Sequence, residues 1–140
     1  ERLAGMLGEY RTLAHLDLSD NELGDEGVRA LAGVLSGCVV LSHLALSDNG
    51  IGNEGLGRLS AVLGECKALT YLDLMCNEIG AEGATKLAGV LGECRTLAHL
   101  DLRCNEIEID GIRRLAAVLG ECNALTHLEV VESTEEEERL

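Results

Sequence analysis

Proline is absent from all 140 residues, as are tryptophan and phenylalanine, and Tyr10 and Tyr71 are the only tyrosines. Without proline, no helix is broken from within. Without bulky aromatics, the core must come from Leu, Val, Ile and Ala, which suits a thin stacked array better than a globule. Positive charge is scarce too: 11 Lys and Arg face 25 Asp and Glu, for a formal net charge of −14. Such a chain repels phosphate backbones and anionic lipid, so nucleic acid and membrane are not expected as partners, whereas a basic protein surface is. No apolar run approaches the roughly 18–20 residues of a membrane span, and no signal-peptide pattern is present. The chain does not begin with Met, which reads as an excerpt or a processed product. What it does have is 46% hydrophobic residues, enough for the core of one structural unit.

Those hydrophobic residues recur every 28 positions. Leu13, Leu41, Leu69, Leu97 and Leu125 form one column, and Leu16, Leu44, Leu72, Leu100 and Leu128 a second. Asn21, Asn49, Asn77 and Asn105 form a third, and Gly27, Gly55, Gly83 and Gly111 a fourth. Self-similarity at a fixed period of this length is the signature of a solenoid.

Within one repeat, Tyr71-Leu72-Asp73-Leu74-Met75 alternates with period two. Leu72 and Leu74 therefore point inward from a short strand, and Tyr71, Asp73 and Met75 point outward. The asparagine three residues after the last Leu is placed to hydrogen-bond turn backbone groups and close the bend. Gly24, Gly52 and Gly80 are expected to permit a tight turn there, ahead of a helix entered at the second glycine. The helix shows as a stripe of Val28, Leu31, Val34, Leu35 and Cys38, renewed in each later repeat. Strands pair about 4.8 Å apart while packed helices need about 8–10 Å, so the stack must curve. The expected fold is a right-handed α/β solenoid, a horseshoe with a concave parallel β-sheet and convex α-helices.

The pattern Leu-x-x-Leu-x-Leu-x-x-Asn-x-Ile/Leu-Gly-x-x-Gly-x-x-x-Leu-x-x-x-Leu resembles the ribonuclease-inhibitor-like subclass of leucine-rich repeats. The resemblance covers nearly the whole chain, in four registers. It implies protein–protein recognition on the repeat surface, and it also allows a regulator of a GTPase.

Residues 1–132 are expected to form the repeat domain: a partial first repeat, about four full ones and a fifth strand from Leu125, Leu128 and Val130. Leu3, Leu7 and Tyr10 align with Leu31, Leu35 and Cys38. Ser133 replaces the turn asparagine, and 133–140, with Glu135 to Glu138, read as an acidic tail or degenerate cap. The fourth repeat departs most: Glu108 replaces the turn glycine, and Ile109 stands where Asp25, Asn53 and Ala81 stand earlier.

Four histidines share one outward column, His15, His43, His99 and His127, with Tyr71 in the remaining slot. Beside it runs an acidic column of Asp17, Asp73, Asp101 and Glu129, broken by Ala45. Zinc needs three or four convergent ligands and a flat ladder diverges, so neither metal nor cofactor is expected. No nucleophile is held against a histidine in a shielded site, so no enzyme is expected and no catalytic residue is assigned. Cys38, Cys66, Cys94 and Cys122 follow the helices as small apolar residues. Cys76 and Cys104 neighbour each other at strand exits, close enough in principle for a disulfide, but their side chains are expected to run parallel rather than converge. Six thiols and no glycosylation sequon point to a reducing compartment, the cytoplasm or nucleus.

The third outward column varies: Ser19, Ser47, Met75, Arg103, Val131. Tyr71, Met75 and Arg103 are interface-favoured side chains, set among Asp73, His99 and Asp101. These six are the candidate partner-binding residues of a non-catalytic interaction module, for a protein partner with a basic surface. Protonating the histidine column in mild acid is expected to weaken such binding. The alternative is a structural subunit locked into a larger assembly through its ends or helical face.

Overall fold

The computed structural model describes residues 11–130. Strands and helices alternate: β1 (His15–Asp17), α1 (Gly24–Leu35), β2 (His43–Ala45), α2 (Asn53–Leu63), β3 (Tyr71–Asp73), α3 (Ala81–Leu91), β4 (His99–Asp101), α4 (Glu108–Val118), a short 3-10 turn (Leu119–Glu121) and β5 (His127–Glu129). The five strands form one parallel sheet in sequence order. Register is the 28-residue period itself: Leu16, Leu44, Leu72, Leu100 and Leu128 are successive partners. The expected α/β solenoid is the observed one. The aligned half-repeat of residues 1–10, Val131, Ser133 and the acidic run lie outside the described residues.

Alternation along each strand puts its central leucine under the sheet, and Leu44, Leu72 and Leu100 are fully buried. The helix stripe meets them from the other side through Leu31, Leu35, Leu56, Leu59, Leu63, Leu87 and Leu91. Each helix packs on the next. The core is thus a single leucine-rich layer between sheet and helices, continued from repeat to repeat. No helix is long and apolar enough to cross a membrane, among the described residues.

The asparagine column closes the bend and also ties repeats together. Asn77 Nδ2 donates to the carbonyls of Leu74 (3.0 Å) and Met75 (3.3 Å) in its own turn, and to Leu46 (3.1 Å) one repeat earlier. Its Oδ1 accepts the N–H groups of Asn49 and Ile51, both at 3.0 Å. Asn49 repeats the pattern with Leu18, Leu46 and Ser47 as acceptors and Asn21 and Leu23 as donors. One amide side chain therefore satisfies backbone groups of two consecutive turns.

The expected glycine turn is corrected by the backbone. Gly52 and Gly80 have φ of −101° and −107°, extended values open to any residue. One column is left-handed in every repeat instead, at Asp20, Asp48, Cys76 and Cys104, with φ of 55° to 61°; Glu22 and Gly50 are left-handed as well. Aspartate tolerates this region better than most residues, which accounts for Asp20 and Asp48. Only in the first and fourth repeats is the position of Gly52 and Gly80 left-handed, at Gly24 (φ 60°) and Glu108 (φ 61°).

A cap from the preceding repeat accounts for the difference. Asp25 Oδ1 accepts the N–H groups of Gly52 (2.8 Å) and Gly55 (3.0 Å), and Asn53 Oδ1 those of Gly80 and Gly83, both at 2.8 Å. Each side chain caps the next repeat's helix. Ala81 has no acceptor to offer, so α4 starts differently and Glu108 takes the left-handed conformation. The double substitution Ala81→Asn, Glu108→Gly is expected to stabilise the chain by about 1–2 kcal/mol, from one restored cap and relief of one strained residue. A melting temperature equal to or below that of the parent would reject this account.

Candidate functional site

Because strand residues 15, 43, 71, 99 and 127 are in register, their side chains stack outward from the sheet. The rings of His15, His43, Tyr71, His99 and His127 form an unbroken pile with centroid separations of 5.0, 4.2, 4.7 and 5.2 Å. Their planes differ by 6° to 29°. Ring faces are thus spent on one another, and the pile presents ring edges, with imidazole nitrogens and a phenol, outward from the sheet.

The acidic column lies beside it, and its members differ in exposure. Asp17 is exposed, Asp73 half-buried and Asp101 only 3% exposed. Asp17 and Asp73 each accept the backbone N–H two residues on, from Ser19 and Met75, at 2.9 Å. Asp101 does the same with Arg103 and also receives its guanidinium, Nε at 3.0 Å and a terminal nitrogen at 2.8 Å. That terminal nitrogen reaches Glu129 at 3.7 Å, and Glu129 meets His99 Nε2 at 3.1 Å.

Of the six candidate residues, Tyr71 and His99 are stacked, and Asp101 and Arg103 are locked in a bidentate ion pair. Asp73 and Met75 are half-buried neighbours on β3 and its exit. Glu129 was missed as a member of this cluster. Its place in the acidic column, in register with Asp101, was the available signal.

The expectation that potential metal ligands diverge fails at one place. The ligand atoms of His99, Asp101 and Glu129 all lie within 4.8 Å of one another. Arg103 contacts both carboxylates, so a cation binding there must displace a guanidinium already paired.

These contacts set the titration of the two central carboxyls. Burial pushes Asp101 up, but the hydrogen bonds and charge of Arg103 outweigh it and hold the group below the ordinary carboxylate range. Burial pushes Asp73 up, and the neighbouring charges of Asp101 and Asp17 add to it, so it lies above that range. Asp101 therefore contributes stability above its unfolded value and loses it as pH falls through its lowered folded value. For Asp73 the sign reverses: its ionised form is penalised, and protonation in acid relieves the fold. Arg103→Met is expected to leave Asp101 buried without its counter-ion, raising its titration above the ordinary range. The melting-temperature gap between parent and variant should then narrow as pH falls below about 4. A gap constant from neutral pH into that acid range would show that Arg103 does not govern Asp101.

The helix-end cysteines divide by burial. Cys38 and Cys66 are buried, Cys94 and Cys122 half-buried. Burial pushes the thiols of Cys66 and Cys94 up to about 11, which keeps them protonated and unreactive at neutral pH.

A parallel sheet with one helix behind each strand, bound across repeats by an asparagine ladder, defines a solenoid of the leucine-rich type. The model described as "Leucine Rich repeat" matches residues 11–32, 37–60, 65–88 and 93–116, more than half of the sequence, and the chain belongs to that family. No curated protein matches it in sequence. Solved structures that share the fold include the following two. "Leiomodin-1 Actin-Binding Site 2 (ABS2)" has a TM-score of 0.80 at 17% identity, over 99% of this chain and 82% of that one. The tropomodulin C-terminal domain of Caenorhabditis elegans has a TM-score of 0.80 at 12% identity, over 97% and 87% respectively. At such identities the likeness is one of fold.

Proposed function

We propose that the concave sheet binds a protein partner with a basic surface, and that its centre is Tyr71, Asp73, Met75, His99, Asp101 and Arg103, joined by Glu129. The observation that carries this is the ring pile flanked by carboxylates. It offers a ridge of polar ring edges next to Asp17, Asp73, Asp101 and Glu129, with Arg103 as the basic side chain paired among them. Lys and Arg of a partner find charge along the acidic row, and Met75 supplies an adaptable apolar contact. Arg103 serves this surface by holding Asp101 and Glu129 in place.

The test uses a triple variant, Tyr71→Ala, Asp73→Asn, Met75→Ala, which leaves the Arg103 network intact. Partners captured from extract by the parent chain are expected to be lost with the variant at an unchanged melting temperature, by at least tenfold in affinity. Retention of the same partner transfers recognition to the helical face or the ends, the structural-subunit reading. The leiomodin domain is an actin-binding site, which makes actin the first purified protein to offer. Indifference to actin rejects actin as the partner, and the triple variant remains the test of the concave face.

A further inference from the structure

Cys76 and Cys104 occupy equivalent positions three residues beyond Asp73 and Asp101, which are paired in register. The ladder runs on past the strands: Leu74 N donates to Asp101 O at 2.9 Å, and Cys76 N to Arg103 O at 2.9 Å. The two cysteines are therefore still side by side where the chain leaves the sheet. In-register neighbours stand about 4.8 Å apart at Cα, inside the roughly 4.4–6.8 Å over which disulfides form, and the two parallel side chains must converge from that spacing to the roughly 3.5–4.5 Å between Cβ atoms that the bond requires. Cys104 is exposed and Cys76 half-buried.

Their backbone conformation adds a second observation. Both are left-handed, at φ of 55° and 61°. The same column holds Asp20 and Asp48 in the first two repeats, a residue type suited to that region. Cysteine is not among the residue types enriched in that region, so two adjacent turns carry a residue uncommon there. The other four cysteines sit at helix ends with raised thiols, buried or half-buried.

We infer that Cys76 and Cys104 form a redox-modifiable thiol pair, closed to a disulfide by exchange with a low-molecular-weight disulfide such as oxidised glutathione. The exposed Cys104 thiolate attacks one glutathione sulfur, breaking its S–S bond and releasing one glutathione thiolate. Cys76, as thiolate, then attacks Cys104 Sγ in the mixed disulfide and expels the second. Two protein thiols lose two protons and two electrons, and one oxidised glutathione becomes two reduced ones. The bond formed would staple the third and fourth repeats at the rim of the sheet, one residue beyond Met75 and Arg103.

The test titrates the full chain with oxidised glutathione under native conditions, followed by intact mass and non-reducing peptide mapping. The parent is expected to lose two hydrogens, with the Cys76 and Cys104 peptides joined, and to recover on adding reduced glutathione. Variants Cys76→Asp and Cys104→Asp adopt the residue that the column itself uses at Asp20 and Asp48, so the turn is preserved. Cys76→Asp should stop at one glutathione on Cys104, and Cys104→Asp should react at least tenfold more slowly than the parent. A parent that accumulates stable glutathione on Cys104, links into dimers through it, or forms its disulfide between other cysteines would overturn the inference.

Discussion

Replacing Asn77 by alanine is expected to cost about 3–5 kcal/mol, one of the largest effects of a single polar substitution in this chain. The side chain is 9% exposed and makes five hydrogen bonds to backbone. Alanine strands two N–H donors, from Asn49 and Ile51, and three carbonyl acceptors. Each buried group left unsatisfied costs about 1–3 kcal/mol, and partial access of water keeps the total below the sum. The four column members are not equivalent. Asn21 is exposed, and its side chain bonds only its own turn, to Leu18 and Ser19. Asn21→Ala should cost about 1 kcal/mol. Urea unfolding of the two variants measures the difference. Equal losses would show that the amide's role is confined to its own turn.

The second large effect separates two glycines of one helix. A Cβ at Gly83 would stand 2.7 Å from Asn53 Oδ1 and 3.2 Å from both Asn53 Cα and Ile79 Cγ2. Asn53 Oδ1 is also the cap that receives the Gly80 and Gly83 N–H groups. Gly83→Ala must therefore push the preceding repeat's backbone away and break its cap, at an expected cost of about 2–4 kcal/mol. Gly89 lies in the same helix with nothing within 4 Å of its own Cβ position. Gly89→Ala should stabilise by about 0.5–1 kcal/mol, through helix propensity alone. Thermal melts of the pair settle the point, and opposite signs are the expected result. If both substitutions stabilise, the repeats do not pack through this column as closely as the structure has them.

Much of the architecture was legible because a solenoid's long-range contacts repeat its local ones. Leu44, Leu72 and Leu100 are buried for the reason their spacing implies, and the strand register equals the sequence period. The ring pile was legible as a column of His and Tyr for the same reason. Less legible was the backbone of the turns. Glycine at 52 and 80 suggested a tight turn, yet both are extended, and the left-handed residues include Asp20, Asp48, Cys76 and Cys104. Glycine marks a position where close approach or unusual φ is allowed, and sequence does not say which of the two applies. Asp25, Asn53 and Ala81 were legible only as a varied column that ends in Ile109. They are the presence and loss of a cap on the next helix, a partner 27 to 30 residues away.

The sequence by itself determined the repeat, the parallel sheet with its helices, the leucine core and the acidic outward face. These follow from periodicity, because side-chain direction alternates along a strand and turns regularly along a helix. Only the tertiary structure decided which copies of a repeated residue matter. Asp101 is buried and paired while Asp17 is exposed, and Arg103 is held against two carboxylates. Burial and charge pairing depend on what the neighbouring repeats place beside a side chain. Identical letters at identical spacing therefore acquire different energies.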